Sequence, residues 1–81
     1  MFEDLNWTRL PNGDTYGSFN GLAHYYIQES PYLKEYPFRI TRIYPSPAVE
    51  IGSENSLKEA RRIAQEDFEN QAIFKEYRSV T

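Results

Sequence analysis

Cysteine is missing altogether from the 81 residues, and histidine, tryptophan and methionine occur once each. Without cysteine there is no disulfide framework, no thiolate zinc site and no thiol nucleophile, which fits a reducing compartment. With His24 the only histidine, a metal site would need carboxylates for every other ligand, and no acidic cluster is spaced around it. A strand histidine among tyrosines is the plainer reading, and no metal is expected. The strained elbow Gly-x-Ser-x-Gly does not occur, so nothing marks a serine as a nucleophile. Gly13, Gly17 and Gly21 recur every four residues, but in and between short strands rather than between a strand and a helix. Turn and close-packing roles therefore suit them better than a phosphate loop. No stretch approaches the eighteen or so apolar residues of a membrane span, and MFEDLNW has no basic region followed by an apolar run. The expectation is a soluble, unexported protein without catalytic residues or cofactor.

What is present is aromatic and mildly acidic. Seven tyrosines stand against five phenylalanines and one tryptophan, and tyrosine suits half-exposed positions and protein interfaces. The formal charge of −3 argues against general adhesion to nucleic acid or anionic membrane. A chain this short forms one domain, residues 1–81, and buries only about 60% of its unfolded surface. That leaves room for one sheet and one helix, and makes a large catalytic pocket hard to build.

Gly52 to Asn70 is the one long segment with a clear helical period. Leu57, Ala60, Ala64, Phe68 and Ala72 share a stripe flanked by Ile63, with Glu59, Arg62, Glu66 and Glu69 opposite. Ser56 and Glu59 are spaced as a reciprocal capping box. The small alanines on the buried stripe imply close approach to a flat partner, a sheet. Lys58 and Glu66, each four residues from Arg62, offset one another. Two endings remain open: a helix continuing through Tyr77, or a stop near Asn70, which tolerates a left-handed cap, followed by a last strand in 72–80. The strand is favoured because it relieves an exposed Ile73 and Tyr77 pair.

Upstream, Leu5 to Leu10 alternates as a first strand anchored by Trp7. Asn12-Gly13 and Asn20-Gly21 supply two hairpin turns around Thr15 to Phe19, and Leu22 to Gln28 follows as a third strand. Tyr25 and Ile27 fall on one of its faces, His24 and Tyr26 on the other. Phe38 to Tyr44 is a fourth strand, with Phe38, Ile40 and Tyr44 alternating against Arg39, Thr41 and Ile43. Ala48 to Ile51 makes a short fifth strand after the Pro45-Ser46-Pro47 break. The fold class is α+β: an antiparallel meander of three to five strands packed by one amphipathic helix, with a C-terminal strand as an option.

Trp7, the Asn-Gly turns, Gly21 ahead of Tyr25-Tyr26-Ile27, the strand from Phe38, and Gly52 leading to Ser56-Leu57-Lys58-Glu59-Ala60 and Ala64 form a pattern. It resembles very small proteins of phages and mobile elements, several anti-CRISPR proteins among them, in which a meander precedes a helix opened by Ser-Leu-x-x-Ala. The loop SPYLKEYP and the YPSP break depart from it. The resemblance implies a non-enzymatic, phage-encoded inhibitor in the cytoplasm of a host bacterial cell. Its partner would be a CRISPR–Cas effector protein, blocked in target DNA binding or activation, with no direct nucleic-acid contact and no membrane. The inhibitor would be a monomer or homodimer. The alternatives are a small RNA- or DNA-binding module and a phage structural or assembly protein.

The shared positions are structural, so contact residues come from the physics of this chain. The proline-bracketed loop offers Tyr32 and Tyr36 as aromatic anchors, although covering one end of the core is the weightier role for it. Glu66, Asp67 and Glu69 offer charge to a lysine-rich, DNA-accepting surface, although such runs are usually solvated faces. As anchors, Tyr32→Ala and Tyr36→Ala should each cost more than ~1 kcal/mol of binding by calorimetry. Unchanged affinity in both would remove the loop from the interface.

Overall fold

The structure, a computed structural model, describes residues 4–21, 23–30, 35–44 and 47–71. Within them are five strands and one helix: β1 (Asn6–Arg9), β2 (Thr15–Phe19), β3 (Ala23–Glu29), β4 (Phe38–Tyr44), β5 (Val49–Glu54) and α1 (Leu57–Glu69). The strands form a single antiparallel sheet in sequence order, and the helix packs on β3, β4 and β5. The expected α+β meander is thus the observed fold, with all five strands present. Residues 72–80, the optional last strand, lie outside the described residues, as do Tyr32 and Leu22.

Turn chemistry fixes the register. Gly13 and Gly21 adopt φ of 94° and 72°, and Asn20 joins them at 45°, a conformation that asparagine tolerates and most residues resist. In the first turn Gly13 N donates to Leu10 O at 2.9 Å and Leu10 N to Asp14 O at 2.8 Å. The period-two pattern then sends Thr15, Gly17 and Phe19 of β2, and Ala23, Tyr25 and Ile27 of β3, to the covered face.

The helix starts where its cap is written. Ser56 accepts from Glu59 N at 3.2 Å. The reciprocal half of the box does not form: the Glu59 carboxylate accepts from Arg62 Nε at 2.8 Å instead. Arg62 also pairs with Glu66, so this cation bridges two acids and is not cancelled by Lys58. All three side chains are exposed, and such pairs contribute little. The helix ends at Asn70 as expected, but in a right-handed conformation, φ −93° and ψ −2°. Its N–H closes onto Glu66 O and Asp67 O, so no left-handed cap is required.

Ala60, Ala64 and Phe68 are fully buried against Tyr25, Ile27 and Ile40, with Leu57 and Ile63 at the margin. Burial of each large side chain is worth roughly 1.5–3 kcal/mol. The Phe19 and Phe68 rings meet at 5.2 Å, which carries the core across to β2. Farther toward that edge Leu5, just ahead of β1 and itself buried, donates its N–H to Gln65 Oε1 at 3.0 Å. Trp7 lies over Gly17, and Arg61 of the helix sits 5.7 Å from its ring.

Two irregularities change the faces of β4 and β5. His24 stands opposite Tyr44 but Tyr25 opposite Arg42, so Ile43 is an extra residue. Ile40 faces Gly52 but Thr41 faces Glu50, so Ile51 is another. Tyr44 therefore does not follow Phe38 and Ile40 to the core. It joins Thr41 and Arg39 on the far face, while Arg42 turns under the helix. β5 also continues through Gly52, which fits between Ile40 and Ile63 without a break.

A Cβ at Gly17 would come within 2.6 Å of the Trp7 ring. Gly17→Ala should destabilise the domain by about 1–3 kcal/mol, as overpacking does. Denaturant titration of this variant should also show the emission of the lone tryptophan moved toward that of an exposed ring. Wild-type stability and emission would mean that Trp7 does not rest on β2.

Candidate functional site: the open face of the sheet

The two faces of the sheet are unlike. Under the helix, the Asp67 carboxylate accepts from the Tyr25 hydroxyl at 2.6 Å and from Arg42 Nη1 at 3.0 Å to each oxygen. Gln71 Nε2 adds a 3.3 Å contact to the same carboxylate. Tyr25 is completely buried, and the Arg42 and Asp67 side chains are only 21% and 22% exposed. Burial pushes the Tyr25 hydroxyl far above the usual phenol range, and the Asp67 bond and charge push the same way, with Arg42 opposing. Because Nη1 alone spans both oxygens, Arg42 Nε is left buried with no partner among the described residues. The arrangement satisfies charge and ties α1 to β3 and β4; it presents no free acid.

On the opposite face, β2, β3 and β4 bring Tyr16, His24 and Tyr44 side by side. The Tyr16 and His24 rings are stacked with centroids 5.7 Å apart, and Tyr44 meets His24 edge-on at 5.9 Å. The Tyr16 hydroxyl contacts His24 Nδ1. Beyond them Tyr26 donates to Asp14 Oδ2 at 2.5 Å, which raises the Tyr26 pKa, while Asp14 Oδ1 receives Glu29 N at 3.1 Å. Asp14 therefore pins the first turn to the far end of β3. The strand register adds Thr8, Ser18, Thr41 and Ser53 to this face, together with the Arg39 and Glu50 pair. The result is a partly exposed surface of tyrosine and small polar side chains with balanced charge. None of the described elements packs over it. Among the described residues no three of His, Asp and Glu converge to hold a metal ion.

The candidate contact residues fall in different places. Tyr36 is 52% exposed and precedes Phe38, which pairs with Glu54 at the end of the sheet where the helix begins. Glu66 is exposed and paired with Arg62, and Glu69 accepts from Gln65 Nε2 at 2.9 Å. Asp67 points inward. From Leu57 to Asp67 the helix rises about 15 Å, so Tyr36 and the acids lie toward opposite ends and form no single cluster. The Tyr16–His24–Tyr44 group was missed as a unit. The Asn20-Gly21 turn does predict that Tyr16 and His24 share a face of adjoining strands, but Tyr44 reaches them only through the irregularity at Ile43.

Against known proteins the result is short. No protein-family model matches the chain, and no curated protein or solved structure matches it. Function therefore rests on the chain's own surfaces. Among the described residues the exposed large hydrophobics are Tyr36, Ile43, Tyr44 and Val49, and the last three sit where β4 ends and β5 begins. No described helix is long and apolar enough to cross a membrane.

The tyrosine geometry sets a pH response. Unfolded tyrosines titrate near ~10, whereas Tyr25 and Tyr26 hold their protons above that in the fold. Above about pH 10 the unfolded chain therefore binds fewer protons than the native one, and stability, intact below that pH, falls as pH rises. The urea midpoint should drop steeply past about pH 10, and less steeply in Tyr25→Phe. Equal slopes in the two proteins would contradict a buried, Asp67-bonded phenol.

Proposed function

We propose that this chain is a non-enzymatic inhibitor of the anti-CRISPR type, encoded by a phage, that binds a host CRISPR–Cas effector protein and blocks target DNA binding or activation. The observation that carries the protein-binding part is the open sheet face. Tyrosines held by cross-strand packing, with serine and threonine around them, give large contact area at low entropic cost, the composition of many protein-binding surfaces. Ile43 and Val49, exposed near Tyr44, add apolar area where β4 gives way to β5. The CRISPR part rests on the resemblance in sequence pattern. In this reading the helix is a scaffold, and Glu66 and Glu69 act as rim charges that affect association rate and salt sensitivity more than affinity.

A second reading has one observation behind it: the stacked Tyr16 and His24 rings could receive nucleobases. Against it, Arg39, the β4 arginine on this face, is paired with Glu50, and Arg42 lies on the helix side with Asp67. Phosphate contacts dominate such binding, and among the described residues no cationic track accompanies the rings.

The test is a pull-down with tagged protein from bacterial lysates carrying different CRISPR effector complexes. Recovery of one Cas complex, competed by target DNA and weakened by more than ~1 kcal/mol in Tyr16→Ala and Tyr44→Ala, is the expected result. No Cas protein across the panel would contradict the CRISPR assignment. A gel shift with single-stranded oligonucleotides at low salt would, if positive, favour the nucleic-acid reading.

A further inference from the structure

The chain contains two Asn-Gly sequences, and the fold treats them in opposite ways. Asn-Gly is the sequence in which an asparagine side chain is most readily attacked by the following backbone nitrogen, because glycine has no side chain to hinder the approach. At the first, Asn12 Oδ1 accepts from Asp14 N at 3.0 Å. Asn12 Nδ2 donates to Asp14 Oδ2 at 3.2 Å and to the Tyr26 hydroxyl at 3.3 Å. The attacking atom is also occupied, since Gly13 N donates to Leu10 O. At the second, Asn20 and Gly21 are both exposed at the tip of the β2–β3 hairpin. Neither the Asn20 amide nor Gly21 N makes a hydrogen bond to any of the described residues.

We propose that Asn20 is a site of spontaneous deamidation and that the fold shields Asn12 from the same reaction. Gly21 N, losing its proton to base, bonds to Asn20 Cγ, and the Cγ–Nδ2 bond breaks to release ammonia. Water then opens the resulting imide at either carbonyl, leaving aspartate or isoaspartate. The net exchange is amide plus water for acid plus ammonia, with no oxidant or reductant. For Asn12 to react, its amide must first give up three hydrogen bonds and Gly13 N a fourth. The product at position 20 carries a new negative charge two residues beyond Ser18, at the end of the sheet where Phe19 meets Phe68 near the helix terminus. The isoaspartyl form also lengthens the backbone of a turn already held at positive φ.

The experiment incubates the full chain in mildly alkaline buffer at body temperature, with and without denaturing urea. Peptide mapping by mass spectrometry over days then follows the amide-to-acid mass gain at each asparagine. In the folded protein Asn20 should convert at least about tenfold faster than Asn12, the ratio that a barrier difference of roughly 1.4 kcal/mol gives. In urea the two rates should converge, mainly by a rise at Asn12. Comparable rates in the folded protein, a faster Asn12, or no conversion at Asn20 would overturn the proposal. A tenfold difference persisting in urea would overturn it too, by placing the cause in the flanking sequence.

Discussion

One carboxylate, that of Asp67, decides how the helix sits on the sheet. The buried stripe of α1 consists largely of alanines, which permit close approach but offer little shape to hold one position along the strands. Asp67 supplies that position by accepting from Tyr25 on β3 and Arg42 on β4 together. Hydrogen bonds to a charged group of this kind are worth about 1.5–3 kcal/mol each, and the loss of one partner leaves the others buried without compensation. The arrangement requires Arg42 to face the helix, and the extra residue at Ile43 then sends Tyr44 to the other side. Arg42 reaches the clamp by plain alternation with Phe38 and Ile40, and the irregularity just after it completes the tyrosine cluster on the open face.

The consequence is a division of labour between surfaces. The covered face has its large apolar side chains buried and Asp67 committed to Tyr25 and Arg42. The outer side of the helix carries acids, but Glu59 and Glu66 share Arg62. The open face has aromatic area, small polar groups and a charge pair that cancels, which is the composition of a surface able to meet another protein without like-charge repulsion. An acidic chain with one neutral face offers there a surface with little desolvation penalty.

Much of the fold was legible because its signals are local. Ser56 with its helix, the two Asn-Gly turns and the alternation of Tyr25 and Ile27 against His24 and Tyr26 depend on neighbours within a few residues, and each stands where the sequence places it. The departures share a different cause. Glu59 chose Arg62 over the Ser56 N–H, a competition between two partners that spacing alone does not rank. Arg42 and Asp67 are 25 residues apart; alternation puts Arg42 on the face of Ile40, but nothing in the sequence names its partner, and Tyr44 reaches the open face through a bulge for which the Phe38 to Tyr44 run has no glycine or other marker. Reading Asp67 together with Glu66 and Glu69 as an acidic group followed from adjacency in sequence. On a helix, however, successive residues point about 100° apart, and that rotation carries Asp67 inward. Tyr36 is exposed at the other end of the sheet from those acids.

The account turns on Asp67 as an interior residue, and a double-mutant cycle between Tyr25→Phe and Asp67→Asn tests that most directly. Stabilities of the wild type, both single variants and the double variant would be read from urea unfolding at neutral pH. A coupling of about 0.5–3 kcal/mol between the two positions is the predicted result, as expected for residues sharing a buried hydrogen bond. Additivity to within about 0.3–0.5 kcal/mol would contradict it, and would return Asp67 to the surface beside Glu66 and Glu69.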